Sequence, residues 1–307
     1  MPPSAKNDAS RLSGAALLAL AAVLFGLMAF GAKRVSAHLP GAQIAFLRFV
    51  IGLVATGIAG TTVIRLRPVG WRSLFLRGFF GGLAVLLFFT SIEKLPVGTA
   101  TLLTYTAPIF TTIDAAIFLG ERVTRATMAA LALTMFGVVL VVAGHAAPGQ
   151  LHLLGSVGRW ELCAIGSAAL SGAAITAVRL ARRTDGPWEI FGAFCVFGTL
   201  ATAPFAISVW RWPSATDWAL VLFVGLSAVA AQVMFTRALR DVRAATAGVI
   251  SQLTPVTALA LGVALLGEPL GPLALVGSAL TLFGVAWAAR VEGRAPAEAV
   301  DDVRGWN

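Results

Sequence analysis

Charge is what this chain has least of. Lys, Arg, Asp and Glu make up 12% of its 307 residues, about half of the ~25% typical of a water-soluble domain. That is too little polar surface to cover a core, so a conventional soluble fold is excluded. Cysteine is nearly absent. Cys163 and Cys195 are the only two, and both lie inside apolar runs, where free thiols pack as small apolar groups. A disulfide framework is not expected. The three histidines, His38, His145 and His152, are scattered, and no His, Cys and acid spacing suits a metal. His145 and His152 fall in one Gly- and Pro-containing segment that reads as a solvated loop. No Gly-Lys-Ser or Gly-Lys-Thr loop occurs, so ATP has no phosphate cradle. Nucleophile, base and paired acids do not converge anywhere. An enzyme is therefore not expected, and neither is a cofactor.

What the chain has in abundance is apolar length. Hydrophobic residues form 58% of it, and mean hydropathy is +0.87. Predominantly apolar runs of about 20 residues are long enough to cross a hydrocarbon core of ~30 Å as helices. Ten occur, at 13–32, 40–62, 73–92, 97–119, 124–144, 158–178, 187–209, 215–236, 246–266 and 271–289. The first follows Lys6 and Arg11 as a secretory signal would. However, it is long for a signal core, and Lys33-Arg34 stands where cleavage would fall, so it is expected to remain as an anchor. Most tryptophans lie at span ends, as interface anchors do. The net charge of +9 would suit a nucleic acid, but its distribution through short loops speaks against that partner.

The apolar text is written twice. Ala132-Leu133-Thr134-Met135-Phe136-Gly137-Val138 returns as Ala279-Leu280-Thr281-Leu282-Phe283-Gly284-Val285, 147 residues on. At the same offset Pro108 falls on Pro255, Gly120 on Gly267 and Glu121 on Glu268. The chain is a duplication of one five-span unit. Its organisation reads as a polar tail over 1–12, a first repeat over 13–144, an outer linker over 145–157, a second repeat over 158–290 and a polar tail over 291–307. Both tails are expected to lack structure.

With the N-terminus inside, 17 of the 23 Lys and Arg lie in inner segments and five in outer ones, with Arg48 within a span. That asymmetry is a positive-inside signal and puts both termini in the cytoplasm. Five spans per copy then force the second repeat into the membrane upside down. The expected fold is an all-α polytopic membrane protein of ten transmembrane helices in two inverted five-helix repeats. Inverted repeats are characteristic of secondary transporters, with the substrate site near the midplane where helices are broken.

Polar residues within the spans are the candidates for that site. Tyr105, the only tyrosine, has Gln252 as its repeat mate, and Thr104 has Ser251. Both sets lie three or four residues before a proline, Pro108 or Pro255. With Thr101, they either line a substrate path or hydrogen-bond between helices. Each proline removes a donor and frees the carbonyl four residues earlier, at Thr104 or Ser251, whose hydroxyl is placed to re-satisfy the backbone. The bend is a hinge or a static kink. Arg48 has Phe194 as its mate at an offset of 146. It is read either as a bidentate ligand for a substrate carboxylate or as held by carbonyls at a helix break. Asp114 is expected to pair with Arg77, with a proton-relay role as the other reading. Glu121 and Glu268 end their spans and are expected to cap the next helix. The small residues of spans 5 and 10 suit close contact between those two helices.

Phe25-Gly26 with Lys33, Arg48-Phe49, and the Pro108…Gly120-Glu121 unit with its copy Pro255…Gly267-Glu268 resemble the ten-helix EamA-type members of the drug/metabolite transporter superfamily. The resemblance covers nearly the whole chain. It implies a permease of the bacterial inner membrane, mostly an exporter of amino acids, drugs and small metabolites, with a cavity between the halves. In the four-helix multidrug exporters of that superfamily, a proton-binding Glu precedes a Lys by eight residues. Phe25 and Ser171 stand at those places here, so that coupling does not carry over. The overall expectation is a secondary exporter of amino acids or amines, embedded in lipid as a monomer or weak homo-oligomer. A passive facilitator, or a multidrug or nucleotide-like metabolite permease, is the alternative.

Overall fold

The computed structural model describes residues 3–62, 66–94, 103–121, 123–145, 158–266 and 271–293. Among them the secondary structure is helical, without strands. The helices are α1 (Pro3–Val35), α2 (Gly41–Thr62), α3 (Trp71–Lys94), α4 (Ala107–Phe118), α5 (Arg125–His145) and α6 (Arg159–Ala181). They continue with α7 (Pro187–Ser208), α8 (Ala215–Ala238), α9 (Ala244–Ser251), α10 (Leu253–Leu266) and α11 (Pro272–Gly293). Eight stretches are long and apolar enough to cross a membrane, one of them α9 and α10 taken together. The spans expected at 97–119 and 124–144 appear as shorter apolar stretches, Ala107–Phe118 and Arg125–Val141. Part of the first of these lies outside the described residues.

Capping chemistry sets several of the boundaries. Pro187 opens α7 and Pro272 opens α11, where a missing N–H costs nothing. Ser214 caps α8, its hydroxyl accepting from Asp217 N at 3.2 Å while the Asp217 carboxylate takes the Ser214 N–H at 2.9 Å. This is a reciprocal capping box. After α4 the chain turns on Gly120, at φ +64°, a left-handed conformation that favours glycine. One expectation fails here. Residues 3–12, read as a tail, continue α1, because no Pro or Gly separates them from the span and Ala5, Ala9 and Leu12 favour helix.

The most extensive packing runs between the halves rather than within them. The principal pairs are α5 with α11, α3 with α6, and α1 with α8, followed by α2 with α7 and α3 with α7. Exchange the two repeats and the set maps onto itself: α3–α6 becomes α8–α1, and α3–α7 becomes α8–α2, which is also present. The α4–α6 contact likewise has its counterpart in α1 against α9 and α10.

The α5–α11 contact, expected from the small residues of those spans, shows the exchange at residue level. A Cβ on Gly284 would strike the Thr134 side chain at 2.6 Å, and one on Gly277 would strike the Gly137 carbonyl at 2.5 Å. Gly137 in turn faces Thr281. Thr134 and Thr281 return their hydroxyls to their own helices, to Ala130 O at 3.0 Å and Gly277 O at 2.9 Å. Backbones thus meet closely while both threonine hydroxyls stay satisfied, as suits helix contacts in lipid.

Candidate functional site

Two helical segments are interrupted at equivalent places. Tyr105 and Thr106 form a turn before α4, and Gln252 separates α9 from α10. The bonds at the two turns match, Thr106 N to Leu103 O at 3.2 Å and Gln252 N to Val249 O at 3.1 Å. Both span three residues, so the helix has tightened to a 3₁₀ turn. The cause lies just downstream. Pro108 and Pro255 cannot donate, and their rings crowd the preceding turn.

The hydroxyls act differently from the expectation for Thr104 and Ser251. Ser251 Oγ donates to Ala247 O at 2.8 Å, and Thr106 rather than Thr104 donates to Leu103 O, at 2.6 Å. Thr104 Oγ1 is buried without a partner among the described residues. Sequence reading missed Thr106, although its position between Tyr105 and Pro108 is the signal that would have found it.

A cavity of about 220 Å³ opens between these interruptions, lined in part by Tyr105, Pro108, Ser251, Gln252, Phe25 and Met28. Four of the expected site residues are therefore brought together. Gln252 is 1% exposed, and its amide donates to Tyr105 O and to Met135 Sδ, both at 3.0 Å. It ties the two interruptions to each other. Pro255 is buried beyond Gln252 and does not line the cavity. Thr101 lies outside the described residues.

Arg48 sits one step away. It lines a second, smaller cavity with Phe25, Phe49, Phe191, Phe194, Cys195 and Gln232. α2 is unbroken through this point, and among the described residues Arg48 bonds to a side chain rather than to the carbonyls of a helix break. Its guanidinium instead lies 4.8 Å from the Phe49 ring centre and donates to Met28 Sδ at 3.6 Å.

The Asp114–Arg77 pair is also a correction. Arg77 is 5% exposed, and its guanidinium lies 3.8 Å from the Phe194 ring centre. The reason is packing: α3 lies against α6 and α7, whereas Asp114 is carried on α4 against α6 and α9. Gly81 leaves the room that the Arg77 guanidinium occupies. Asp114 is half-buried and lines neither cavity.

Glu121 caps a helix, but not the next one. Thr124 takes that task, accepting from Thr127 N at 3.1 Å. The Glu121 carboxylate crosses to the second half, accepts from Ala244 N at 3.0 Å at the start of α9, and pairs with Arg179 Nε at 3.2 Å. Arg179 Nη1 donates onward to Leu239 O at 2.6 Å and Arg240 O at 2.8 Å. A carboxylate at a helix N-terminus is favoured by the helix dipole. Glu268 lies outside the described residues.

Comparison with known proteins agrees with this arrangement. A solved crystal structure superposes with a TM-score of 0.80 over 92% of this chain and 98% of that chain, at 22% identity, which shows a shared fold. The pseudopaline exporter CntI of Pseudomonas aeruginosa is 29% identical over 228 residues, 74% of this chain and 78% of its own. A probable terminal-alkyne amino-acid exporter of Streptantibioticus cattleyicolor is 36% identical over 125 residues, 33% of this chain and 42% of its own. The profile of the EamA-like transporter family matches twice, over residues 12–143 and 158–290. This duplicated, helical, multi-pass membrane chain belongs to the EamA-like transporter family.

Proposed function

We propose that the protein exports a small organic solute, an amino acid or a related metabolite, by alternating access around the cavity between the interrupted helices. The observation that carries this is the symmetry of the interruptions: Tyr105–Thr106 in one half, Gln252 in the other, with a 220 Å³ cavity between them. Non-helical backbone at membrane depth is tolerated where it lines a cavity, and broken helices at a repeat interface are where transporters bind solute. The Streptantibioticus relative, a probable terminal-alkyne amino-acid exporter, supports the solute class. The Pseudomonas relative, an exporter, supports the direction.

The ten-span inverted topology belongs to this proposal. It is supported by the exchange of packing partners between halves and by the inner bias of Lys and Arg. Both termini are then cytoplasmic and the membrane is a bacterial inner membrane. Pro108 and Pro255 act as hinges, because the turns that they tighten join segments able to tilt separately.

The test is transport by the purified chain in proteoliposomes. Labelled amino acid should accumulate faster when unlabelled solute is preloaded on the opposite side. Flux without that counterflow stimulation would identify a channel-like facilitator instead. No saturable flux of any amino acid would overturn the solute class.

Gln252 supplies a sharper measurement. Gln252→Leu leaves the Tyr105 carbonyl and the cavity wall without their donor, so stability should fall by about 1–2 kcal/mol. Transport should fall further than the folded fraction, with a raised KM. Tyr105→Phe keeps that carbonyl bond, because Gln252 meets the backbone, and should leave melting temperature near that of the parent. A large loss of stability in Tyr105→Phe would show that the hydroxyl, not the carbonyl, is the structural group.

A further inference from the structure

Two arginines are carried among aromatic and apolar side chains beside the cavities, Arg77 buried and Arg48 half-buried, and among the described residues neither is paired with a carboxylate. Arg77 is 5% exposed, its Nε is buried without a partner among the described residues, and its guanidinium rests on the Phe194 ring. The hydrogen bond that Arg48 makes is to a thioether sulfur, a weak acceptor.

The two are linked by aromatic rings. Arg48 lies 4.8 Å from the centre of Phe49, Phe49 meets Phe194 edge to face at 4.9 Å, and Arg77 lies 3.8 Å from the centre of Phe194. Ring faces ease the burial of a guanidinium, but they do not neutralise it. No acidic residue lines either cavity among the described residues. A buried charge without a partner is expensive unless its counter-charge arrives from elsewhere.

The two cavities adjoin. Phe25 lines both, and Met28, which accepts from Arg48, lines the larger. The smaller volume, about 10 Å³, has room for about one water-sized polar group. That is too little for a carboxylate, which reaches the guanidinium from the larger cavity when Met28, a flexible side chain that lines that cavity and covers Arg48, moves aside.

Resting on the transporter reading above, we propose that the solute carries a carboxylate and that this group docks at Arg48, with Arg77 reinforcing the positive potential from beneath Phe194. The remainder of the solute lies in the larger cavity against Phe25, Tyr105 and Gln252. An amine without a carboxylate gains nothing at Arg48 and finds no acid lining either cavity among the described residues. Arg48 is the contact residue, since its fork can engage a carboxylate through two parallel bonds. Arg77, which lines neither cavity, is a positioning residue acting through the field and through Phe194.

The experiment uses four probes with the same ring and different charge: phenylacetate, L-phenylalanine, L-phenylalaninamide and phenethylamine. Each is measured by uptake into proteoliposomes of the full-length chain and by thermal shift of the purified protein. Phenylacetate and L-phenylalanine are expected to be taken up saturably and to raise the melting temperature, and the amide and the amine to do neither. Arg48→Gln should weaken the two acids about tenfold or more, and Arg48→Lys should recover only part of that. Arg77→Lys, which keeps the charge, should bind the acids better than Arg77→Gln at equal folded fraction.

Uptake of the amide or amine as good as that of the acids would overturn the carboxylate assignment while leaving a transporter. So would Arg48→Gln with parental affinity for the acids. Neither acid bound nor carried would overturn it as well. If none of the four moved while purified protein still bound the acids, the carboxylate site would stand and the transport reading would fall.

Discussion

Glu121→Ala is expected to destabilise the protein by about 3–5 kcal/mol, the scale for removing one member of a buried charged pair. The Glu121 side chain is 4% exposed and that of Arg179 is 12% exposed. Removing the carboxylate strands two donors together, the Arg179 Nε and the fully buried Ala244 N–H. The start of α9 would lose its cap, and α9 carries the Gln252 turn at its other end. The loss should therefore appear as a lower melting temperature and as reduced transport in the folded fraction. Glu121→Gln retains an acceptor for Ala244 but not the charge facing Arg179, so it should fall between alanine and the parent. Arg179→Ala combined with Glu121→Ala should cost less than the two single losses added, the signature of coupled groups. Additive losses would show that the pair is not the seat of the effect.

Gly277→Ala should be the most damaging of the small substitutions. A Cβ there would meet Gly137 O at 2.5 Å and Val141 N at 2.6 Å. Both are backbone atoms, so no rotamer change relieves the clash and α5 and α11 must separate. Overpacking of this kind costs about 1–3 kcal/mol or more. Gly57→Ala is the matched control, since nothing lies within 4 Å of its added Cβ. That change should be neutral or stabilising by about 0.5–1 kcal/mol, because alanine is the better helix former. Equal melting temperatures for the two variants would show that the close approach of α5 and α11 contributes little to stability.

Most of the architecture was legible because lipid imposes a strong rule: an apolar run of span length becomes a helix. The duplication was legible because the heptamer from Ala132 and its copy from Ala279 are near-identical text. Packing partners were legible where glycine recurs, as at Gly137 and Gly277. The candidate site was half legible. Pro108 and Pro255 pointed to the interruptions, and Tyr105 with Gln252 stood out as polar residues far from a span end. The partners of the charged residues were the least legible. Depth along a span says how far a side chain lies from the surface, not which neighbour it faces. Asp114 and Arg77 share a depth but are carried on helices with different partners. For Arg48 the sequence leaves a carboxylate ligand and a prop at a helix break open, and its actual neighbours, Phe49 and the Met28 sulfur, carry no signal in the sequence. Glu121 was assigned to the helix that follows it, while Thr124 had already filled that position.

The mutual fit of Gly284 with Thr134 and of Gly137 with Thr281 is isologous: what the first copy offers, the second receives, and the reverse. Two separate five-helix chains could make the same contact only at a rate and occupancy set by their concentration in the membrane. Covalent joining turns that encounter into an intramolecular one, with an effective concentration on the order of millimolar for a short tether. Occupancy of the α5–α11 contact then no longer depends on expression level. Dilution into excess lipid should leave the pair intact, and each half is released to change sequence alone, as Arg48 and Phe194 already have. A duplicated chain can thus bring two unlike halves to one cavity, with a charge on one wall and none at the equivalent place on the other.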